Sequence, residues 1–158
     1  MRLTAFIAIV ISVMIFGYAE SAETKFIKPA DRDKCQVCGM FVAKYPGWVS
    51  EVVFKDGTYA VFDGPKDLFK YVVDLKNYAP ARKQNEIDSV FVNDYYAVRP
   101  VDGRKAYYVL GSDVFGPMGK ELIPFGKELD AKEFLKDHNA RRILRFHEIT
   151  PAILMELD

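Results

Sequence analysis

The feature that most constrains the fold of this chain is a strand–turn–strand–helix–strand pattern that occurs twice. In its first occurrence, residues 48–54 alternate and are rich in valine, an Asp-Gly pair at 56–57 predicts a hairpin turn, and residues 58–62 lead back. Pro65 then predicts the start of a helix, because proline fits the first helical position. Residues 89–92 complete this part as a further strand.

The second occurrence has weaker signals. Residues 95–101 and 105–110 flank an Asp-Gly pair at 102–103, which predicts another hairpin. The remaining predicted elements are a short strand at 121–125, a helix capped by Asp130 with Glu133, a strand at 141–146 and a short helix at 151–157. Met155 lies on this last helix, and we expect its side chain to pack against the core. Antiparallel hairpins with helices on one face predict an α+β fold of two ββαβ-type units.

The N-terminus has the composition of a secretory signal peptide. Arg2 precedes an uncharged apolar stretch at 3–18, and small residues follow. The apolar stretch is shorter than the ~20 residues of a spanning helix, so we expect membrane attachment only if the segment stays uncleaved. The predicted organisation is a signal peptide at 1–21, a flexible leader at 22–34 and one domain at 35–158.

The overall charge argues against a nucleic-acid partner. Lysine plus arginine and aspartate plus glutamate number 22 each, and no basic run interrupts the chain. Binding to nucleic acid depends on neutralising phosphates, which this composition does not favour. Half of the residues are hydrophobic, which is enough to form a core without the help of a metal.

Both cysteines of the chain lie in the motif Cys-Gln-Val-Cys-Gly-Met at residues 35–40. Two thiols and a thioether are soft donors, which favour Cu(I) first and then zinc or an iron–sulfur cluster. Met40 can share one side of an extended segment with Cys38, because side chains repeat every second residue there. Met118 lies between Gly116-Pro117 and Gly119, outside any helix or strand pattern. If folding brings Met118 to the cysteines, these sulfurs could share a metal.

Two cysteines three residues apart also permit other interpretations. A thiol–disulfide oxidoreductase is the main one, although such enzymes place a strand before the motif and a helix after it, and here polar residues precede it and Gly39 follows it. A complete zinc site would need further ligands. His138 and His147 lack zinc-finger spacing, and His138 falls on the apolar side of its predicted helix. The cysteines could also be small buried hydrophobes.

Several motifs in order resemble the NosL family of exported copper-binding accessory proteins for nitrous oxide reductase. They are the cysteine motif, Phe-Asp-Gly-Pro-Lys at 62–66, Gly-Ser-Asp-Val-Phe-Gly-Pro-Met-Gly at 111–119, Leu-Ile-Pro-Phe at 122–125 and Phe-His-Glu-Ile at 146–149. The resemblance covers most of residues 34–149. It implies two ββαβ units in a fold similar to that of organomercurial lyase, which agrees with the repeat inferred from the pattern.

The resemblance also implies a function and a set of ligands. The chain would be a periplasmic Cu(I) metallochaperone, not an enzyme, that supplies nitrous oxide reductase during denitrification. The family's Cys-x-Met motif maps onto Cys38 and Met40, and its glycine-flanked methionine maps onto Met118. Cys35, His138 or solvent would complete the site. Many family members carry a lipid-attachment cysteine at the cleavage site, and here no cysteine follows the apolar stretch. An organomercurial-lyase-like enzyme ranks last, since no third cysteine is available.

Overall fold

The structure is a computed structural model that describes residues 25–158, so the predicted signal peptide at 1–21 lies outside the described part. The elements in chain order are β1 (Ser50–Phe54), β2 (Tyr59–Phe62), α1 (Pro65–Val73), α2 (Leu75–Tyr78), β3 (Ile87–Asp94), β4 (Arg99–Asp102), β5 (Tyr107–Gly116), β6 (Gly119–Phe125), α3 (Glu128–Asp137), β7 (Arg142–Arg145) and α4 (Pro151–Met155). Short 3-10 turns lie at Val42–Lys44, Gln84–Glu86 and Phe146–Glu148. Within residues 25–158, the helices are too short or too polar to cross a membrane.

The strands form two antiparallel sheets with the same internal order. The first sheet runs β2-β1-β3-β4 and the second runs β6-β5-β7. In each sheet the first strand of a hairpin is central, and the strand that follows the helix pairs on its other side. We call β1-β2-α1-β3 the first unit and β5-β6-α3-β7 the second unit. The predicted α+β fold of two ββαβ units is therefore confirmed.

The position of the second hairpin was predicted wrongly. Strand β4 pairs with β3 of the first sheet, whereas β5 pairs with β6 and β7. Residues 95–98 form a turn instead of a strand, because the Asp94 carboxyl accepts hydrogen bonds from the backbone N–H groups of Tyr96 and Ala97. The Asp-Gly pair at 102–103 does turn the chain, but it leads into the other sheet. The hairpin of the second unit is closed by Pro117-Met118.

The helices begin close to their predicted positions, with differences in burial and capping. Helix α1 starts at Pro65 as expected, and Leu68 and Phe69 are buried. Tyr71 of this helix is also buried, whereas Val73 at its C-terminal end is 39% exposed. Helix α3 starts at Glu128, before Asp130, and its N-cap has no side-chain hydrogen bond, so the predicted capping box does not form. On α4, Met155 is 70% exposed and does not pack as predicted.

The two helices of the units occupy different layers. Helix α1 contacts β1 and β2 of the first sheet and β6 of the second. Its Phe69 ring meets Tyr108 of β5 edge to face, with 4.9 Å between ring centroids. Helix α3 covers the opposite face of the second sheet, where its side chains Ala131 and Phe134 are buried with Val109, Ile123 and Phe125. The main core therefore surrounds α1, and a smaller one lies under α3.

The segment before the cysteine motif lies against the first sheet. The backbone N–H of Ile27 donates to both carboxyl oxygens of Glu51 on β1, at 3.1 and 3.2 Å. The Phe26 ring packs edge-on against Phe91 of β3. Burial raises the pKa of Glu51 to about 7, because its charged form loses the solvation that water would provide.

Candidate metal centre

The cysteine motif forms a tight turn that places its two sulfurs side by side. The backbone N–H of Cys35 donates to the carbonyl of Met40 at 2.8 Å, and that of Gly39 donates to the carbonyl of Cys35 at 3.0 Å. Gly39 has a φ of +78°, a left-handed conformation that glycine adopts without steric cost. Lys34 and Phe41 pair across the base of the turn. Cys35 and Cys38 thus lie on a preformed loop.

Two carboxyl groups face these thiols. Asp63 directly follows β2, and Asp67 lies in the first turn of α1. The Cys35 Sγ donates to Asp67 Oδ2 and the Cys38 Sγ donates to Asp63 Oδ1, both at 3.2 Å. One ligand atom from each of the four residues lies within 4.8 Å of the others. We call these four residues the Cys–Asp cluster.

Sequence reasoning did not propose the two aspartates as site residues. The sequence signal for them is the Phe-Asp-Gly-Pro-Lys motif at 62–66, which predicts a helix start and forms part of the family resemblance. A helix start explains an Asp at 63 or 67 without any ligand, since acidic residues favour the first turn. Only the tertiary fold brings residues 63 and 67 against a turn about thirty positions earlier.

The Cys–Asp cluster is largely withdrawn from water. Cys35, Asp63 and Asp67 are buried, and Cys38 is half-buried. Burial raises the pKa of the Cys38 thiol to about 11 and raises the pKa of Cys35 still further above its usual range. Both thiols are therefore protonated near neutral pH, and a metal that binds them must displace their protons. The Oδ2 atom of Asp63 is buried without a hydrogen-bond partner.

The same geometry argues against thiol–disulfide exchange. A reactive cysteine needs a depressed pKa and access for its substrate. In this chain the first cysteine of the motif, Cys35, is 3% exposed and its pKa is raised by burial. Cys38 is more accessible, but its pKa is raised as well. Buried, protonated thiols that face carboxyl groups are more typical of a metal-binding site than of a cysteine that acts as a nucleophile.

The fold brings the Met118 hairpin to the same helix start. Met118 lies at the tip of the β5–β6 hairpin and is 44% exposed. Its backbone carbonyl accepts a 2.9 Å hydrogen bond from Nζ of Lys66, the residue next to Asp67. Met40 is half-buried and closes the cysteine turn through its carbonyl. The predicted ligation by the sulfurs of Met40 and Met118 stays a prediction.

His138 lies in a different environment. It is the C-cap residue of α3, and its ring stacks on Phe134 with 4.1 Å between centroids. Its Nδ1 is 2.7 Å from Oδ1 of Asp113 on β5. His138 is not a member of the Cys–Asp cluster, the group of potential metal ligands found within the described residues.

Comparison with known proteins gives a consistent result. The sequence model of the NosL family matches residues 26–154. A protein of Stutzerimonas stutzeri named copper-binding lipoprotein NosL is 30% identical, and the match covers 95% of this chain and 81% of the relative. The crystal structure of the copper chaperone NosL from Shewanella denitrificans is 26% identical, with a TM-score of 0.69 over 81% of this chain and 97% of that one.

The names of these relatives bear on the prediction of a non-enzymatic protein. They describe a copper-binding lipoprotein and a copper chaperone, and neither name describes an enzyme, in agreement with that prediction. The family match spans most of the chain, and the related crystal structure has the same fold. This chain belongs to the NosL family.

Proposed function

We propose that this protein is an exported Cu(I) carrier that delivers copper to a periplasmic cuproenzyme. The observation that supports this most directly is the Cys–Asp cluster, in which two thiols meet two carboxyl groups with all four ligand atoms within 4.8 Å. Soft sulfur donors select Cu(I) over the harder divalent ions. The copper is cargo in this proposal, so the protein needs to bind and release it without changing it chemically.

The proposed ligands differ in their tasks. Cys38 and Cys35 bind as thiolates after losing their protons, and the thiolate charge provides most of the affinity. Met118 and Met40 add thioethers, which stay neutral at any pH and suit Cu(I). Asp63 and Asp67 hold the sulfurs through the 3.2 Å contacts and thereby orient them before copper arrives. The half-exposed Met118 and Cys38 let a ligand of the recipient enter before the first ligands leave.

The proposal also includes where the protein works and which enzyme receives its copper. Residues 1–21 would direct export, and the name of the related Stutzerimonas protein, a lipoprotein, supports an exported family. Nitrous oxide reductase is the recipient that the resemblance favours. Copper transfer from the loaded protein to copper-free nitrous oxide reductase, with a mononuclear copper protein as the alternative acceptor, tests this choice. Equal transfer to both acceptors would leave the carrier role intact and remove the proposed recipient.

The carrier role itself is tested by anaerobic Cu(I) titration against a competing chelator. We expect Cys38→Ser to weaken Cu(I) binding by at least about 100-fold, because even groups that only support metal ligands typically cost 10- to 100-fold. Met118→Ala should weaken binding by about 10-fold, since one neutral ligand is lost. Met155→Ala is the matched control, because Met155 is 70% exposed on α4 and should not change affinity. Unchanged binding in both Cys38→Ser and Met118→Ala would contradict the proposal.

A further inference from the structure

Two side chains cross between the start of α1 and the β5–β6 hairpin. Glu121, on β6, reaches the backbone of α1, and Lys66, on α1, reaches the backbone of the hairpin tip. Both residues are buried, at 3% and 4% exposure. Buried ionisable side chains are rare unless they have a partner, so the contacts of these two residues beside the Cys–Asp cluster are informative.

Glu121 acts as the N-terminal cap of α1 from another strand. The residue at the N-cap position is Gly64, which has no side chain to cap the helix. Glu121 Oε1 accepts the backbone N–H of Lys66 at 2.6 Å and that of Leu122 at 2.8 Å. A carboxyl group that accepts the free N–H groups of a first turn stabilises a helix start. The start of α1, and with it Asp67, is thus fixed by the second unit.

The chain provides space for this carboxyl on both sides. A Cβ atom at Gly64 would lie 2.3 Å from Glu121 Oε2, and one at Gly116 would lie 3.0 Å from Glu121 Cγ. Real Cβ contacts are essentially never shorter than 3.0 Å, so Gly64 in particular accommodates the carboxyl group. Gly116 belongs to the strand that ends at the Met118 turn. The Glu121 side chain therefore lies between the helix start and the hairpin tip.

Lys66 connects the helix to the hairpin in the opposite direction, from a side chain of α1 to the backbone of the hairpin tip. Its Nζ donates to the carbonyl of Met118 at 2.9 Å and to the carbonyl of Leu157 at 3.4 Å. The hairpin tip is exposed at Met118 and Phe115, which are 44% and 64% exposed. Since packing does not immobilise these two side chains, the Lys66 hydrogen bond is a specific attachment of the Met118 backbone to α1.

We infer that Glu121 and Lys66 are positioning residues that hold Met118 beside the Cys–Asp cluster, so that its thioether is in place when Cu(I) binds. This inference rests on the proposed function, because it assigns these residues a role in presenting a proposed ligand. Neither residue contacts the copper. Glu121 fixes the helix that carries Asp67, and Lys66 fixes the turn that carries Met118.

The test is a double-mutant cycle that joins Lys66→Leu with Met118→Ala. We expect Lys66→Leu to weaken Cu(I) binding by about 10-fold, within the range for groups that orient metal ligands. Met118→Ala should then cost less than about 2-fold in the Lys66→Leu background, since residues that act together are not additive. X-ray absorption of the copper-loaded variant should show a reduced thioether contribution, which a purely structural role of Lys66 would not produce.

The matched control is Lys70→Leu, one turn further along α1. The Lys70 ammonium pairs with Asp158 instead of the hairpin, so this variant should keep the native Cu(I) affinity. If Lys66→Leu does not fold, Lys66→Gln serves in its place, because its side chain is one atom shorter than that of lysine and carries no ammonium group. The same reduction in affinity and in thioether signal is expected.

The outcomes separate this inference from the proposed function. A folded Lys66→Leu protein with native affinity and a native thioether signal would overturn the positioning role and leave the carrier intact. If Cys38→Ser weakens binding but Met118→Ala does not, the carrier also stands and there is no thioether to position. Unchanged binding in both Cys38→Ser and Met118→Ala would overturn the carrier and the inference together.

Discussion

The two units share one topology but place their helices in different surroundings. In the first unit, every residue of α1 from Pro65 to Phe69 is buried. In the second unit, only Ala131 and Phe134 of α3 are buried, and Leu129 near its start is 73% exposed. The first helix lies in the main core in contact with both sheets, whereas the second covers an outer face.

This difference indicates why the candidate metal centre occurs once in a fold that repeats. A buried helix start can keep carboxyl groups such as those of Asp63 and Asp67 away from water and facing a partner. A helix start on the surface leaves its carboxyl groups solvated, as with Glu128, which pairs with Lys132 in the open. The repeat provides the framework, and the depth of each helix determines which copy can hold a protected site.

The largest expected effect concerns this difference in depth. Leu68→Ala in α1 should lower the free energy of unfolding by about 2–5 kcal/mol, because the fully buried side chain leaves a cavity. Leu129→Ala in α3 should change it by less than about 0.5 kcal/mol, because the side chain is 73% exposed. Urea denaturation of both variants measures the difference. Similar losses in the two variants would show that α3 is as deeply integrated as α1.

The next effect concerns pH. Burial raises the pKa of Glu51 to about 7 and that of Glu121 to about 8. Between the unfolded value near 4.5 and these folded values, the folded protein binds more protons than the unfolded chain, so the free energy of unfolding falls as pH rises. We expect a decrease of up to about 6 kcal/mol between about pH 5 and about pH 8, measured by urea denaturation of the metal-free protein.

Glutamine variants sharpen this prediction. Glu51→Gln and Glu121→Gln keep an acceptor for the backbone N–H groups of Ile27 and Lys66 but remove the ionisation. Each should flatten the pH dependence. Leu129→Ala, which removes an exposed side chain without an ionisable group, should leave the pH dependence unchanged over the same interval. A wild-type stability that rises toward pH 8 would contradict the assigned burial of the two carboxyl groups.

The smallest effect concerns the histidine of the second unit. His138→Gln removes the contact with Asp113 and the stacking on Phe134, and for a partly exposed pair we expect a loss of about 1 kcal/mol or less. Its Cu(I) affinity should equal that of the unmodified protein, because His138 lies outside the Cys–Asp cluster. Chelator competition measures this. A tenfold loss of affinity would make His138 a ligand and would extend the metal centre into the second unit.

The parts of the fold that the sequence predicted were those with local causes. The Asp-Gly pair at 56–57 and Pro65 each determine a turn or a helix start through their own backbone preferences. The Asp-Gly pair at 102–103 also makes a turn, but a turn signal does not say which sheet the next strand joins. The pairing of β4 with β3 is a long-range choice, so it was missed.

The candidate metal centre likewise has a part with local causes, which was predicted, and a part that depends on long-range packing, which was not. The grouping of the two cysteines was predicted because these residues are close in the chain, but the left-handed turn at Gly39 replaces the extended segment expected there. Asp63 and Asp67 meet the thiols only when α1 packs against that turn, so they were not predicted. Lys66 and Glu121 were missed for the same reason, since they are 55 positions apart and each looks like an ordinary charged residue.

The unequal exposure of the two thiols determines the order in which the ligands of a bound cation can be exchanged. A ligand of an acceptor protein reaches the half-buried Cys38 first, because Cys35, at 3% exposure, is shielded from solvent. A cation bound to both sulfurs would therefore exchange its Cys38 ligand first and its Cys35 ligand last. Dissociation into water would then be slower than transfer to an acceptor that has already replaced Cys38.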